Sequence, residues 1–364
     1  MTLFGGSSSW WLTVVSLTLA ATSVAAAPRL PYDPQQIRVA QAVASAPPVP
    51  CPALVPPPRE LSHGSRYRPG DGTASTVDPE RLAAAERAVK PVRDFNRLLW
   101  NLADRSLREP QSAAFYADCV LGHLDHWASG GAVTGSNSFA GNAERKWNSI
   151  AAALAYLDVR AYADEARSQR IEAWLARTGH DVKRRYGVPI PAAVFSSLNN
   201  NHAYWAALSA VSTGAAASDR ALFHWGMSRF LRALDDIDEH GLLRHELRRG
   251  SLALQYHRFS LGPLLLLRLF ALHNEVAVSA ARDAALRRLA DRVLHGGLDP
   301  SMFEQLTGKE QTGPLPPAGH QYAWGELALA LWPDTSLEAR IAPYRPFRHV
   351  WLGGDLTLRY RNAN

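Results

Sequence analysis

Asp78-Pro79-Glu80-Arg81-Leu82-Ala83-Ala84-Ala85-Glu86-Arg87-Ala88-Val89 reads as the opening of a long helix. Asp78 is a capping residue, Pro79 suits the first turn, and Glu80 lies near the positive end of the helix dipole. Leu82, Ala85, Val89, Val92, Phe95, Leu98 and Leu99 then recur at helical spacing. Further amphipathic runs follow at about 112–128, 139–159, 166–186, 201–214, 218–237, 251–273, 280–295 and 321–332. Glycine and proline punctuate the gaps between them, at Gly130-Gly131, Gly187, Gly241, Gly296-Gly297 and Pro314 to Gly319. Strand-like alternation is scarce, and Trp351 to Leu358 is its best candidate. The class is therefore all-α. A bundle, a solenoid and a toroid of helical hairpins all fit, because no internal repeat chooses among them.

The chain divides into a targeting segment at 1–27, a Pro-rich arm with a loop at 28–78, and a helical domain at 79–364. Trp10 to Ala27 is apolar or small and ends in Val24-Ala25-Ala26-Ala27, a signal-peptidase-like ending. Its core is too short and too rich in small residues to span a membrane, and no Lys or Arg precedes it. Export to the periplasm is the expectation, with no membrane attachment once the segment is removed. Pro47 to Pro50 and Pro56 to Pro58 exclude regular helix where they stand. Ser65 to Gly72 is a basic, turn-rich loop and a candidate lid. Cys51 and Cys119, the only cysteines, read in an exported protein as one disulfide.

Composition narrows the partners. The 364 residues carry a formal charge of +6, which favours anions. The basic residues are dispersed, and the export signal separates the protein from nucleic acid, so no nucleic-acid partner is expected. His123 and His126 have helical spacing but no third ligand, and no metal or cofactor is expected. Asp235 to Glu239 lacks the pattern of a calcium loop. There is no phosphate loop and no dinucleotide fingerprint.

The chemistry concentrates in two clusters. Leu198-Asn199-Asn200-Asn201-His202-Ala203-Tyr204-Trp205 is a helix entrance crowded with amides, an imidazole and large aromatics. With a helix starting near Asn201, positions 201, 202 and 205 share one side. An amide and an imidazole there can bond a carboxylate, and Trp205 can stack a sugar. The second cluster is Arg244-His245-Glu246-Leu247-Arg248-Arg249 with Tyr256-His257-Arg258. In one continuous helix Arg249 and Tyr256 would lie about 10 Å apart. Gly250-Ser251 reads as a break, which lets Arg249 swing back toward Tyr256. A cation beside that phenol would lower its pKa.

These segments resemble the alginate lyases of polysaccharide lyase family 5. Asp118-Cys119 with Trp127, Arg145-Lys146-Trp147, Tyr322-Ala323-Trp324, Pro346-Phe347 with Leu352 to Thr357, Cys51 and Ser65-Arg66-Tyr67 extend the resemblance over about 50–358. It implies an incomplete α/α toroid with a deep cleft and a mobile lid. It implies β-elimination on an acidic polysaccharide, alginate or polymannuronate or another polyuronate, by a monomer. By resemblance, Asn201, His202 and Arg249 engage the uronate carboxylate, Tyr256 acts on the scissile linkage, and Tyr67 closes the lid. Arg66, Lys146, Trp147, Tyr204, Trp205 and His257 become substrate-binding residues.

In mannuronate the C5 proton and the C4 oxygen lie on one side of the ring, so Tyr256 alone could take one proton and return one. In guluronate they lie on opposite sides, which would call on His202 as base. Mannuronate is thus the expected preference. The chain departs from the pattern at its third Asn, at Ala203, at Gln255 and at Gly250-Ser251, so polyglucuronate stays open as a substrate. A glycoside hydrolase would need two carboxylates, and Glu246 has no evident partner. A non-catalytic glycan-binding protein is the other alternative.

Overall fold

The computed structural model describes residues 2, 27–41, 48–189, 191, 194, 196–313 and 319–361. The targeting segment expected at 1–27 lies, apart from Thr2 and Ala27, outside the described residues. The helices run in the order α1 (Pro34–Ala40), α2 (Pro79–Arg108), α3 (Ala113–Ser129), α4 (Phe139–Val159), α5 (Glu165–Tyr186), α6 (Asn201–Ala216) and α7 (Arg220–Asp235). They continue with α8 (Arg244–Leu247), α9 (Ala253–His273), α10 (Ala280–Leu298), α11 (Ser301–Thr307), α12 (Trp324–Leu331) and α13 (Thr335–Ile341). Strands β1 (Arg348–His349) and β2 (Gly354–Asp355) precede a last helix, α14 (Leu356–Tyr360).

The caps explain several boundaries. The Asp78 carboxylate accepts from the N–H groups of Glu80 and Arg81. Ser138, Asp164, Asp219 and Ser279 do the same work at α4, α5, α7 and α10. The arm carries a short helix, α1, ahead of its proline runs, because Asp33 caps it with Pro34 in its first turn. Of the tail at 351–358, where strand was expected, only Gly354–Asp355 pairs with β1, as β2, and the rest of that tail is not strand. Its glycines at 353 and 354 take positive φ and turn the chain, and the Asp355 side chain then caps α14 by accepting from Leu358 N–H.

The helices form two concentric layers. In the inner layer α2 packs on α4, α4 on α6, α6 on α9, and α9 on α12. Helices α4 and α6 are almost wholly buried, α6 being apolar or small nearly all round, whereas α4 also encloses Glu144, Lys146 and Asp158. Each inner helix is paired with an outer neighbour: α2 with α3, α4 with α5, α6 with α7, and α9 with α10. Outer helices such as α5 and α7 bury one stripe and expose the other. The result is an α/α toroid. The gap between α12 and α2 is filled by α1, β2 and α14. Arg359 of α14, fully buried, pairs there with Asp104 of α2 and Asp158 of α4, each at 2.6 Å. Among the described residues no helix is long and apolar enough to cross a membrane.

The arm is fastened to this frame. Leu30, Tyr32, Ile37 and Leu61 join the main core, and Cys51 is bonded to Cys119 of α3 with Cα atoms 5.7 Å apart. Trp127 Nε1 donates to the Val55 carbonyl at 2.8 Å. Leu61 crosses α4 at Gly141, where a Cβ would stand 1.9 Å from the Leu61 oxygen, so only glycine fits. This crossing carries the following loop, 65–78, over the open end of the toroid.

Candidate active site

Helix α6 begins where the sequence indicates. The Asn200 side chain accepts from His202 N–H at 3.0 Å, which fixes Asn201 and His202 in the first turn. Asn201 is fully buried. The Glu246 carboxylate of α8 holds it, accepting from its backbone N–H at 2.6 Å and from Nδ2 at 3.0 and 3.2 Å. Asn201 Oδ1 is left without a partner. Burial pushes Glu246 up to about 7, against the opposing bonds from Asn201 and the charge of Arg249. The two clusters therefore do meet, and the joint is a buried carboxylate on an amide.

Arg249 follows the expected break. Helix α8 ends at Leu247, Gly250 takes φ +55°, and α9 starts afresh at Ala253. The Arg249 guanidinium consequently lies over the Tyr256 ring, 3.7 Å from its centre. The loop at 65–78 lies on both. Tyr67 hydrogen-bonds the Tyr256 hydroxyl, Arg66 Nη2 donates to Tyr67 at 2.9 Å, and Arg249 Nη2 donates to the Ala74 carbonyl. Asp71 shapes the loop from inside by accepting from the N–H groups of Thr73, Ser75 and Thr76. Those bonds, with the Thr73 hydroxyl first, hold its carboxyl well below the usual range.

One electrostatic expectation is reversed. The Tyr256 phenol is pushed up, not down, because burial outweighs Arg249, and Tyr67 adds to the upward push. His202 moves the other way. Burial, then Lys146, then Arg249 lower its pKa strongly, so the imidazole is neutral near pH 7.

Lys146 also sets which nitrogen of that imidazole holds the proton. It is fully buried on α4, with Nζ 3.0 Å from His202 Nδ1 and 3.3 Å from the His202 carbonyl. Its ammonium sits over the rings of Tyr186 and Trp147, at 4.9 and 5.1 Å. As an ammonium Lys146 can only donate, and in that state Nδ1 accepts and the proton of the neutral ring is on Nε2. Lys146 therefore positions His202, and its burial leaves no face for a sugar.

Trp147 stacks on Trp351 of the β1–β2 turn at 4.5 Å and lies 6.3 Å from the His202 ring. Trp205 packs on Phe259 at 5.1 Å and stacks with His349 at 6.1 Å. These rings form an aromatic floor beside Tyr256, whose ring is 6.1 Å from Phe259. Two expected residues lie elsewhere. Tyr204 points to the far side of α6, into a cavity shared with Arg229 and Asp236. His257 is fully buried with both nitrogens engaged: Nδ1 meets the Ala253 carbonyl at 2.8 Å, and Nε2 accepts from Leu243 N–H at 2.9 Å. Its neighbour Tyr256 faces the cleft because consecutive residues of a helix point about a quarter-turn apart.

Sequence reasoning missed Glu246 as the holder of Asn201, and missed Trp351, His349 and Phe259 as floor. The Glu246-to-Arg249 spacing was a usable signal, whereas the floor aromatics come from a distant hairpin. No group of three potential metal ligands occurs among the described residues, and His123 is buried on α3.

Comparison with known proteins gives a consistent result. The family model described as Alginate lyase matches residues 58–303. An alginate lyase of Azotobacter vinelandii is 34% identical over 340 residues, covering 90% of this chain and 86% of that protein. One from Pseudomonas aeruginosa is 33% identical over 320 residues, covering 84% of each. Among solved structures, alginate lyase A1-III from Sphingomonas species A1 superposes with a TM-score of 0.75 at 22% identity, covering 92% of this chain and 97% of that one. A variant of A1-III complexed with a tetrasaccharide gives 0.76 at 21% identity, with the same coverage.

Proposed function

The chain belongs to the alginate lyase family, and on that premise we propose that it cleaves the mannuronate linkages of alginate by β-elimination, leaving 4,5-unsaturated uronate ends. The observation that carries this reading is Arg249 stacked on Tyr256 beside His202, an imidazole kept neutral by burial and held by Lys146 at Nδ1. The uronate carboxylate takes hydrogen bonds from Arg249 and His202 Nε2–H. Asn201, held by Glu246, fixes the helix turn from which His202 projects. As the C5 proton leaves, charge moves onto the carboxylate oxygens, and fixed donors already aimed at them stabilise it.

Tyr256 does the proton work. Its own proton leaves along the bond to Tyr67 toward solvent as the loop opens. The phenolate then removes the C5 proton, the C5 electron pair forms the C4–C5 double bond, and the C4–O bond breaks. The departing oxygen takes that same proton from Tyr256, which is left as the phenolate, ready for another turnover, and regains its own proton from solvent when the site closes empty. This sequence needs the C5 proton and the C4 oxygen on one face, as in mannuronate. The tautomer of His202 supports the same preference, because a protonated Nε2 is a donor and not the base that guluronate would need.

The same reading has the protein exported to the periplasm, acting as a monomer without cofactor, with loop 65–78 as lid. Fractionation and size-exclusion chromatography test the first two. The test of the activity is ultraviolet absorbance of unsaturated product on polymannuronate, polyguluronate and polyglucuronate, with Tyr256→Phe as control. The expected result is a rise on polymannuronate that the variant abolishes. Equal initial rates on polyguluronate would overturn the preference. A rise on polyglucuronate alone would move the substrate, and none on any polymer would overturn the lyase.

A further inference from the structure

Beside the site lies a cavity of about 330 Å³ that the chemistry above does not use. Its walls come from α6, α9, α12, the segment after α11 and the β1–β2 turn. Leu254, Gln255, Arg258, Phe259 and Gly262 of α9 line it at helical spacing, so one stripe of that helix forms a wall. Trp205, Phe259 and Trp351 belong both to this cavity and to the floor next to Tyr256. The two spaces are thus consecutive stations on one aromatic surface.

Among the described residues of the lining, Arg258 is the one lysine or arginine and none is a carboxylate. Its guanidinium is largely enclosed, and among the described residues it makes no ion pair or hydrogen bond, while its Nε is buried without a partner. An enclosed, unpaired guanidinium is unfavourable. Burial here works against the charge, with Tyr322 the opposing influence. Other enclosed arginines are engaged: Arg359 and Arg345 with carboxylates, Arg38 and Arg249 with backbone carbonyls. Arg258 has neither kind of partner, and it stands beside aromatic rings of the cavity.

We propose that this cavity is a second uronate subsite, in which a ring neighbouring the scissile linkage lies against the part-exposed rings of Trp351 and Phe259 and its carboxylate is bound by Arg258. Gln255, exposed on the same stripe, lies where it can meet that sugar's hydroxyl groups. The inference rests on the polyuronate-lyase reading and deepens it. The residue next to the cleaved bond must then be acidic, and a neutral hexose there leaves the guanidinium unpaired.

The test measures kcat/KM on mannuronate oligomers of increasing length and on a long polymer, for the native protein, Arg258→Met and Arg258→Lys. The native enzyme should gain sharply at the length that first fills the cavity. Arg258→Met should lose that gain, roughly ten- to hundredfold and mainly through KM. The shortest cleavable oligomer should be turned over unchanged. Arg258→Lys should recover part of the loss and is the deciding variant should Arg258→Met fail to fold. An oligomer carboxyl-reduced only at the ring that fills the cavity, with the scissile uronate intact, should erase the difference between native and variant. Equal length dependence in native and variant enzymes, or an equal loss at every length, would overturn the subsite. A native protein that cleaves no polyuronate would overturn the reading beneath it, a distinct outcome.

Discussion

Replacing Lys146 by methionine tests whether this buried cation binds sugar or sets the tautomer of His202. Lys146 Nζ donates to His202 Nδ1 at 3.0 Å from a fully buried position. Without it, a buried ring nitrogen loses its partner, at a cost of about 1–3 kcal/mol. The imidazole can avoid that cost by carrying its proton on Nδ1, which removes the donor from Nε2. If the other tautomer becomes favoured by that amount, the productive form falls by a factor of about 5–150, and kcat/KM falls with it. Because the lost interaction matters most as charge develops, kcat should carry the loss and KM should move little.

Stability should respond differently. Burial already pushes the Lys146 pKa well down, so an apolar chain of similar volume removes an unfavourable buried charge, and the melting temperature should hold or rise. The assay pairs steady-state kinetics on polymannuronate with thermal melting and with NMR titration of the imidazole. The imidazole pKa should rise once Lys146 is gone, since that cation is one cause of its depression. A raised KM at unchanged kcat would refute the tautomer argument and return Lys146 to direct sugar binding.

Three further outcomes are expected. The rate should climb with pH through the neutral range, because the Tyr256 phenol is pushed up; Tyr67→Phe should move that limb to lower pH while raising KM, and an unmoved limb would remove Tyr67 from the proton path. His257, lowered by burial from 6.5 to about 4, stays neutral in the fold while the unfolded chain takes up a proton below pH 6.5. Stability is therefore lost as pH falls from 6.5 through 4, by about 3 kcal/mol in full, and His257→Gln should flatten that part of a denaturation profile. Cys51→Ser opens a bridge between residues 68 apart in sequence. Chain entropy puts the loss at about 4 kcal/mol, read by guanidinium unfolding, with little change in kcat for the folded protein.

The elements were legible because their signals are local. Capping acids and helical spacing fixed α2 and most later helices to within a few residues, and the break at Gly250 was visible as a glycine before a new apolar run. The ring arrangement was not legible from periodicity, since buried helices such as α4 and α6 read alike in bundle, solenoid and toroid. Family resemblance supplied it. At the site, residue types and the resemblance together pointed to Asn201, His202, Arg249 and Tyr256 as candidates, but not to what restrains them. Lys146 lies on α4 and Glu246 on α8, and their parts depend on which atom meets which across the fold. The direction of the Tyr256 shift was misjudged for the same reason. Proximity of a cation can be guessed from spacing, whereas the burial that overrides it belongs to the packed structure.

The charges around the cleft suit a ligand whose own charge changes during reaction. Arg66 is on Tyr67, Arg249 on Tyr256 and Lys146 on His202, while Glu246 is taken up by Asn201. Burial, with Lys146 and Arg249 adding to it, keeps His202 neutral, while Arg249 and Arg66 oppose, without overcoming, the burial of Tyr256. A ground-state carboxylate brings one negative charge to this field. Removal of C5–H brings a second onto the same two oxygens, and each donor bond then strengthens without the protein having to move. Interactions that strengthen only as the proton leaves accelerate the step itself, whereas tighter holding of the resting sugar would not. The enclosure that makes Tyr256 a reluctant phenolate is therefore the same feature that lets Arg249 and His202 act strongly on the carboxylate, because water is kept from both.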